Sequence, residues 1–413
     1  MTTMTRPVPV VHPGDLLTRR QRLVYIVLLG ALVALGPFTI DLYLPAFPVI
    51  EGDLGVSQAA VQLTLTATTI GFGVGQLLVG PWSDRVGRRL PLIAATVLHV
   101  LASVGVALAP DIFWIGVFRV LQGVGAAAGA VVAMATVRDL FGGQPLVRML
   151  SRLALVTGLA PILAPLIGSQ LLLVLDWRGV FYFLAAYGVI VLLAAIFFIV
   201  ETRPKEARGG SDYTMAQRYR AIFSDRVFIG VAIIGGMSFS GLFAYLSASP
   251  FLFQDLFGLD AQQYGLLFAV NSIGVVIGTQ AAARLARVIG PQWILAGSTA
   301  VLFLASVAIV VLDLAGAGLV GVLVPLWFFI TAVGFGFPMV QVLALANHGR
   351  EAGTAASVLG ALNFGLAGLI SPIVGVFGVS AFVMGMVMAS TALVAVLSLW
   401  FIVQPRSVPA LSH

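Results

Sequence analysis

The sequence predicts an all-α integral membrane protein with twelve transmembrane helices in two groups of six, and three observations predict it. Hydrophobic residues fill 60% of the 413 positions and charged ones 9%, against roughly 25% charged in a soluble domain; the mean hydropathy is +1.07. Apolar runs near the about 20 residues that a span needs recur along nearly the whole chain, leaving no room for a sizeable aqueous domain. The longest polar stretch, Glu201 to Arg226, falls after the sixth run.

Breaking the chain at charged, polar or Gly/Pro-rich stretches places the spans near 23–46, 57–80, 90–109, 113–136, 151–175, 179–200, 227–249, 262–283, 292–312, 318–345, 353–376 and 379–402. Leu23 follows Arg19, Arg20 and Arg22 and opens a run longer than the apolar core of a signal peptide, so it reads as a retained span. With the N-terminus inside, 20 of the 22 Lys and Arg fall on the inner side. The outer loops hold Arg178 beside Glu51, Asp53, Asp111, Asp176, Asp255, Asp260 and Asp313. That bias predicts both termini in the cytoplasm. The division is then a tail over 1–22, a bundle over 23–200, an inner linker over 201–226, a second bundle over 227–402 and a tail over 403–413. The net charge of +6 does not point to nucleic acid, because the basic residues flank spans instead of gathering on one face. Lack of cysteine excludes disulfides and thiol metal sites and nothing more.

A short echo links the two groups: Tyr43-Leu44-Pro45 with Tyr245-Leu246-Ser247, and Arg85-Val86-Gly87 with Arg287-Val288-Ile289-Gly290. Both pairs sit on equivalent helices of the two halves, the pattern of a parallel repeat.

Two charged residues interrupt apolar runs, Asp41 and Arg119. An ionised group in hydrocarbon costs several kcal/mol and is rarely there without a function. Arg119 lies eight residues past Asp111, roughly 12 Å along a helix, too deep to reach headgroups without strain. Asp41 sits at the outer mouth if its helix stops at Ala46; if the helix runs to Ile50, the acid lies near the depth of Arg119 and the two form a shared site. His99, alone on a span of Leu, Val and Ala, is expected to bond a neighbouring carbonyl rather than relay protons.

The inner loop after the second span reads Gly80-Pro81-Trp82-Ser83-Asp84-Arg85-Val86-Gly87-Arg88-Arg89. Its glycines permit a tight turn, and its acid can face a helix N-terminus. On this pattern the chain resembles the major facilitator superfamily. Arg119-Val120-Leu121-Gln122-Gly123-Val124-Gly125 in the fourth span matches a second motif of that family, and Gly158-Leu159-Ala160-Pro161-Ile162-Leu163-Ala164-Pro165-Leu166-Ile167-Gly168-Ser169 in the fifth resembles the motif of its antiporters, departing at Ala164 and Ser169. With Asp41-Leu42-Tyr43-Leu44-Pro45, Gln76, Arg138-Asp139, Trp177-Arg178 and Tyr245-Leu246-Ser247-Ala248-Ser249-Pro250, the chain looks like the drug:proton antiporters of the bicyclomycin and chloramphenicol resistance type.

The resemblance implies a major facilitator fold, two pseudo-symmetric six-helix bundles around a central cavity, acting as a monomer in a bacterial inner membrane. It implies export of a small drug or metabolite driven by the proton gradient, with no cofactor. Asp41 and Arg119 would couple protons to substrate. Gly80, Asp84, Arg85, Gly87, Arg88, Arg89 and Asp139 would form an inner clasp reaching the eleventh helix near Gly353-Thr354. Gly158, Pro161, Pro165 and Gly168 would shape the antiporter helix, and Tyr43, Gln122, Phe239, Phe243, Tyr245, Asn271, Gln341 and Asn363 would line the cavity. The main alternative is a proton-coupled importer of a small nutrient, disfavoured by the fifth-span pattern; a non-transporting receptor or assembly protein explains neither the loop motif nor the buried charges. No phosphate-binding loop, metal spacing or hydrolytic triad marks an enzyme or a primary pump.

Overall fold

The computed structural model describes residues 13–203, 215–348 and 352–407. Its α-helices are α1 (Arg19–Asp41), α2 (Phe47–Leu54), α3 (Gln58–Val86), α4 (Arg89–Ala107), α5 (Ile112–Leu140), α6 (Gly143–Leu171), α7 (Trp177–Phe198), α8 (Met215–Ser224), α9 (Arg226–Phe251), α10 (Ala261–Ile289), α11 (Pro291–Leu314), α12 (Gly318–Leu345), α13 (Ala352–Ile370), α14 (Ile373–Val376) and α15 (Ala381–Leu397). Among the described residues, twelve helical stretches are long and apolar enough to cross a membrane. One end of the bundle carries most of the basic residues, and the other carries the acidic loops. We call these the basic and acidic ends.

One boundary differs from the sequence expectation, and the linker holds a helix. The first span continues past residue 46 to Leu54 as α1 and α2, and it stops where Gly55 takes a left-handed conformation (φ 59). The linker over 201–226 is not wholly unstructured: α8 docks the fully buried Ile222 into a core with Phe228 and Val231. Lys205, Arg208 and Gly209, like the tail residue Arg6 and loop residue Arg350, lie outside the described residues.

The internal echo falls on matching structure. α3 ends at Gly87 (φ 106), directly after Arg85-Val86, and α10 at Gly290 (φ 83), one residue after Arg287-Val288-Ile289 begins to close the helix. The helix pairs α3/α5 and α10/α12 cross in the same manner, Gly123 lying against the carbonyl of Thr68 and Gly334 against that of Val275. Small residues at such crossings let backbones approach closely.

Three hydrophobic clusters hold the molecule together, and their distribution is asymmetric. At the basic end the halves have separate cores, one built on Leu29, Val132 and Val191 and the other on Phe228, Leu295 and Leu343. At the acidic end one cluster takes in both halves, with Tyr43, Phe47 and Phe181 from the first and Tyr245, Phe251 and Tyr264 from the second. The halves are therefore sealed together at the acidic end.

Candidate functional site

Helix α1 runs toward the acidic end and stops at Asp41. The cause is Pro45, four residues on: it has no N–H to give the carbonyl of Asp41, and its ring crowds that carbonyl. A 3-10 turn, Leu44–Ala46, then leads into α2. Asp41 is 5% exposed and is the only buried acidic residue among those described. Its carboxylate makes no hydrogen bond or ion pair among the described residues. It lies within electrostatic reach of Tyr43 on its own half and of Tyr245 and Tyr264 on the other.

Arg119 is fully buried on α5, and its partners are not the expected one. Its Nη1 donates to the carbonyl of Thr39 at 2.9 Å and to Gln122 Oε1 at 2.6 Å. Its guanidinium lies 4.0 Å over the ring of Tyr43 and 5.7 Å from that of Phe181, where the aromatic faces stabilise the charge. No Asp41–Arg119 ion pair forms among the described residues. Thr39 and Asp41 are two residues apart, so they project about 200° apart around the helix. The face carrying Thr39 meets α4 and α5, and Asp41 is turned away from it. Gln122 Nε2 donates to Ser103 Oγ at 2.7 Å, Ser103 Oγ donates to the carbonyl of His99 at 2.7 Å, and His99 Nε2 lies 2.9 Å from Thr39 Oγ1. These bonds close a ring through α1, α4 and α5. His99 thus meets a hydroxyl rather than the carbonyl expected of its side chain.

The second half contributes a polar pair and an aromatic cluster. Asn271 Nδ2 donates to Tyr245 Oη at 3.3 Å. Phe239 packs on Phe243, Phe337 and Phe364, with centroids at 4.8, 5.6 and 4.9 Å, and Phe364 stacks on Phe72 of the first half at 5.0 Å. Asn363, next to Phe364, has its Oδ1 buried without a partner. Gln341 is exposed toward the basic end of α12 and joins neither group.

The antiporter-like helix α6 sits between α1 and α10. Gly168 lies against the carbonyl of Leu42, directly after Asp41, while Gln262 Nε2 donates to the carbonyl of Ser169 at 3.0 Å. A Cβ on Gly265 would meet the carbonyl of Pro165 at 3.1 Å. Gly158 faces Val276 more loosely, an added Cβ lying 3.6 Å away, and Pro161 lies within the same helix. α6 thus carries the seam between the halves.

The clasp is also assembled differently from the expectation. Arg88 donates to Asp84 at 2.8 Å and to Asp139 at 2.8 Å, and Arg203 Nη1 donates to Asp84 at 3.1 Å. Burial disfavours the charge of Arg88, and its bonds to Asp139 and Asp84 more than offset this, holding its pKa above the ordinary value. Every one of these partners belongs to the first half or the residues just after it. Among the described residues Asp84 makes no hydrogen bond or ion pair with the eleventh helix, and a Cβ added at Gly353 would meet nothing within 4 Å. Gly80 faces α13, with Ser357 Oγ 3.5 Å from an added Cβ. With the halves joined at the acidic end, the bonds of Asp84, Arg88 and Asp139 among the described residues stay within the first half and the residues just after it. Arg85 and Arg138 are exposed.

Glu201 is a clasp member that the sequence did not reveal. Its carboxylate accepts from the backbone N–H groups of Arg88 (2.9 Å), Arg89 (3.3 Å) and Arg203 (3.0 Å), capping the N-terminus of α4, and it lies over Gly87, where a Cβ would collide with it. It lies three residues past the end of α7, and no local spacing marks it.

A family profile described as Major Facilitator Superfamily matches residues 27–372. An "Uncharacterized MFS-type transporter YdgK" of Bacillus subtilis is 34% identical, over 94% of this chain and 98% of its own. The "Multidrug resistance protein MdtL" of Escherichia fergusonii is 30% identical over 92% and 96%, and the "Bicyclomycin resistance protein homolog" of Haemophilus influenzae is 28% identical over 86% and 90%. Among solved structures, the xylose transporter XylE from E. coli in a partially occluded inward-open conformation superposes with a TM-score of 0.71 at 14% identity, over 94% of this chain and 98% of that one. A twelve-span fold with two repeated halves, its signature loop and this extent of similarity agree: the chain belongs to the Major Facilitator Superfamily.

Proposed function

We propose that the protein is a proton-coupled antiporter that exports small amphipathic drug-like molecules from a bacterial cytoplasm, with its basic end and both termini in the cytoplasm and the proton gradient as its energy source. One observation carries this proposal: Asp41, the single buried acid among the described residues and without a hydrogen bond or ion pair among them, lies at the break in α1, facing the second half across the seam. A carboxylate there can be satisfied only by a proton or by a hydrogen-bond donor or cation of the substrate, so the two compete for it. Outward-facing, Asp41 takes a proton and releases drug; inward-facing, it gives the proton up and drug enters against the Phe239, Phe243 and Phe364 cluster. The relatives named for multidrug and bicyclomycin resistance support drugs as the substrate class, and α6, which packs on α1 and α10 together, supports antiport.

The test is proton release from the purified, reconstituted protein on addition of bicyclomycin or chloramphenicol, paired with accumulation of the same drugs in an efflux-deficient host. Release by the wild type together with lowered accumulation supports the proposal. Proton uptake in the direction of drug movement would instead make the protein a symporter.

A further inference from the structure

His99 is fully buried on α4, with Nε2 2.9 Å from Thr39 Oγ1. Thr39 has one hydroxyl hydrogen, and it donates that hydrogen to the carbonyl of Leu35 at 2.6 Å. The hydroxyl oxygen can then only accept from the imidazole, which fixes the Nε2–H tautomer. Nδ1 is buried without a partner and faces Gly188 of α7, where an added Cβ would lie 3.2 Å from it. A proton on Nδ1 would have no acceptor and would add a second cation near Arg119. The imidazole therefore has one committed proton and no place for another. On its other side, the same Thr39 presents the carbonyl that receives Arg119 Nη1.

We propose that His99 is a positioning residue of the coupling site: it pins Thr39, so that the Thr39 carbonyl holds Arg119 and the broken end of α1 keeps Asp41 at the seam. This rests on the proton-coupled function proposed for Asp41. His99 carries no proton in the cycle. The bonds running from Arg119 through Gln122 and Ser103 back to the His99 carbonyl make the pin rigid, because a shift of α4 would disturb both sides of Thr39 together. A residue whose task is one fixed donor can be replaced by glutamine, whose amide nitrogen reaches the place of Nε2, but not by leucine. A proton relay can be replaced by neither.

Two measurements on the full chain in lipid test this. The first is ¹⁵N-histidine NMR, assigned by loss of one of the four histidine signals in His99→Gln. His99 should keep a protonated Nε2 and a bare Nδ1 between about pH 5 and 8; an imidazolium or an Nδ1–H tautomer in that range overturns the proposal. The second is proton release on adding bicyclomycin or chloramphenicol. His99→Leu should slow release about tenfold with little change in the drug's KM, and His99→Gln should recover it to within about twofold. Wild-type release in His99→Leu overturns the pin, and so does a folded His99→Gln as slow as His99→Leu. If His99→Leu fails to fold, Thr39→Val should lose the histidine hydrogen-bond shift and slow release, while Thr39→Ser keeps both; wild-type behaviour in Thr39→Val overturns the proposal. A wild-type protein that exports drug without releasing protons counts against the role of Asp41. The tautomer and the glutamine rescue of drug efflux then decide the pin separately.

Discussion

Gly168 of α6 lies against the carbonyl of Leu42, one residue past the carboxylate that ends α1. The motif glycine of one helix thereby sets the distance of closest approach to the buried acid of another. Gly168→Ala would drive a Cβ into a backbone oxygen that has no rotamer to escape by, and we expect a loss of about 1–3 kcal/mol with drug export falling in parallel. Gly158→Ala is the control from the same motif: its nearest neighbour is Val276 at 3.6 Å, so it should be neutral or stabilise by up to about 1 kcal/mol through helix propensity. Thermal unfolding in detergent and drug accumulation in cells read both. Equal effects of the two substitutions would remove the special place of Gly168.

The clasp predicts a ranking. Asp139 is the partner of Arg88 on the better-buried side, whereas the Asp84 side chain is 54% exposed. Asp139→Ala should therefore cost about 1–3 kcal/mol, the scale of a lost charged hydrogen bond, and Asp84→Asn less than about 1 kcal/mol. Asp84→Asn should slow transport while drug affinity of the solubilised protein stays unchanged. A tenfold loss of affinity would place Asp84 in the binding site.

Across the acidic end, Phe47 and Phe251 meet with ring centroids 5.7 Å apart, and Gln254 Nε2 donates to the carbonyl of Pro45 at 3.2 Å. Four residues beyond each ring stands an acid, Glu51 on α2 and Asp255 after α9, and the two repel across the seam. Glu51→Gln should shift the protein toward the state closed at this end. Spin labels at the exposed Val49 and Leu256 would show a shorter separation in Glu51→Gln. An unchanged distance distribution would mean that the repulsion is fully screened.

Much of this was legible in composition. Apolar runs gave the twelve spans, and two charges inside them marked Asp41 and Arg119. Their pairing was not legible, because it depends on which face of α1 each residue takes. Matched depth along the bilayer says nothing of the roughly 200° between Thr39 and Asp41, and the helix break depends on Pro45 acting on a carbonyl four residues earlier. α8 escaped notice because its polar residues dominate a segment in which Ile222 supplies the buried contact. Glu201 caps a helix that starts 112 residues before it in sequence, a relation that only the folded chain creates. The two-half repeat, by contrast, was visible in two short matches, one of them ending in glycine because α3 and α10 turn there with positive φ.

Sidedness has a direct test, helped by a chain without cysteine. A cysteine at the exposed Gly52 should react with an impermeant thiol reagent added to intact cells, and one at the exposed Leu16 only after the membrane is opened. Gly52 is preferable to Asp53, whose carboxylate accepts from Trp177 Nε1 and Arg178 Nη1, both at 2.9 Å. Labelling of both positions from one side would refute the topology.

Asp41 and Arg119 should separate function from stability in opposite ways. Asp41 has no hydrogen bond to lose in this state, so Asp41→Asn removes an uncompensated buried charge and should fold as well as the wild type or better, by up to a few kcal/mol. Its export should nonetheless stop, because the amide mimics the protonated acid and cannot return a proton. Arg119→Ala is the converse. It empties the space under Tyr43 and leaves Gln122 Oε1 and the Thr39 carbonyl without their donor, at a cost of about 3–5 kcal/mol; Arg119→Lys should recover only part of this, since an ammonium lacks the planar fork that stacks on the ring. Unfolding midpoints together with drug-induced proton release decide between the alternatives. A destabilised Asp41→Asn would mean that the acid has a structural partner after all, and an Asp41→Asn that still exchanges drug for protons would remove it from the mechanism.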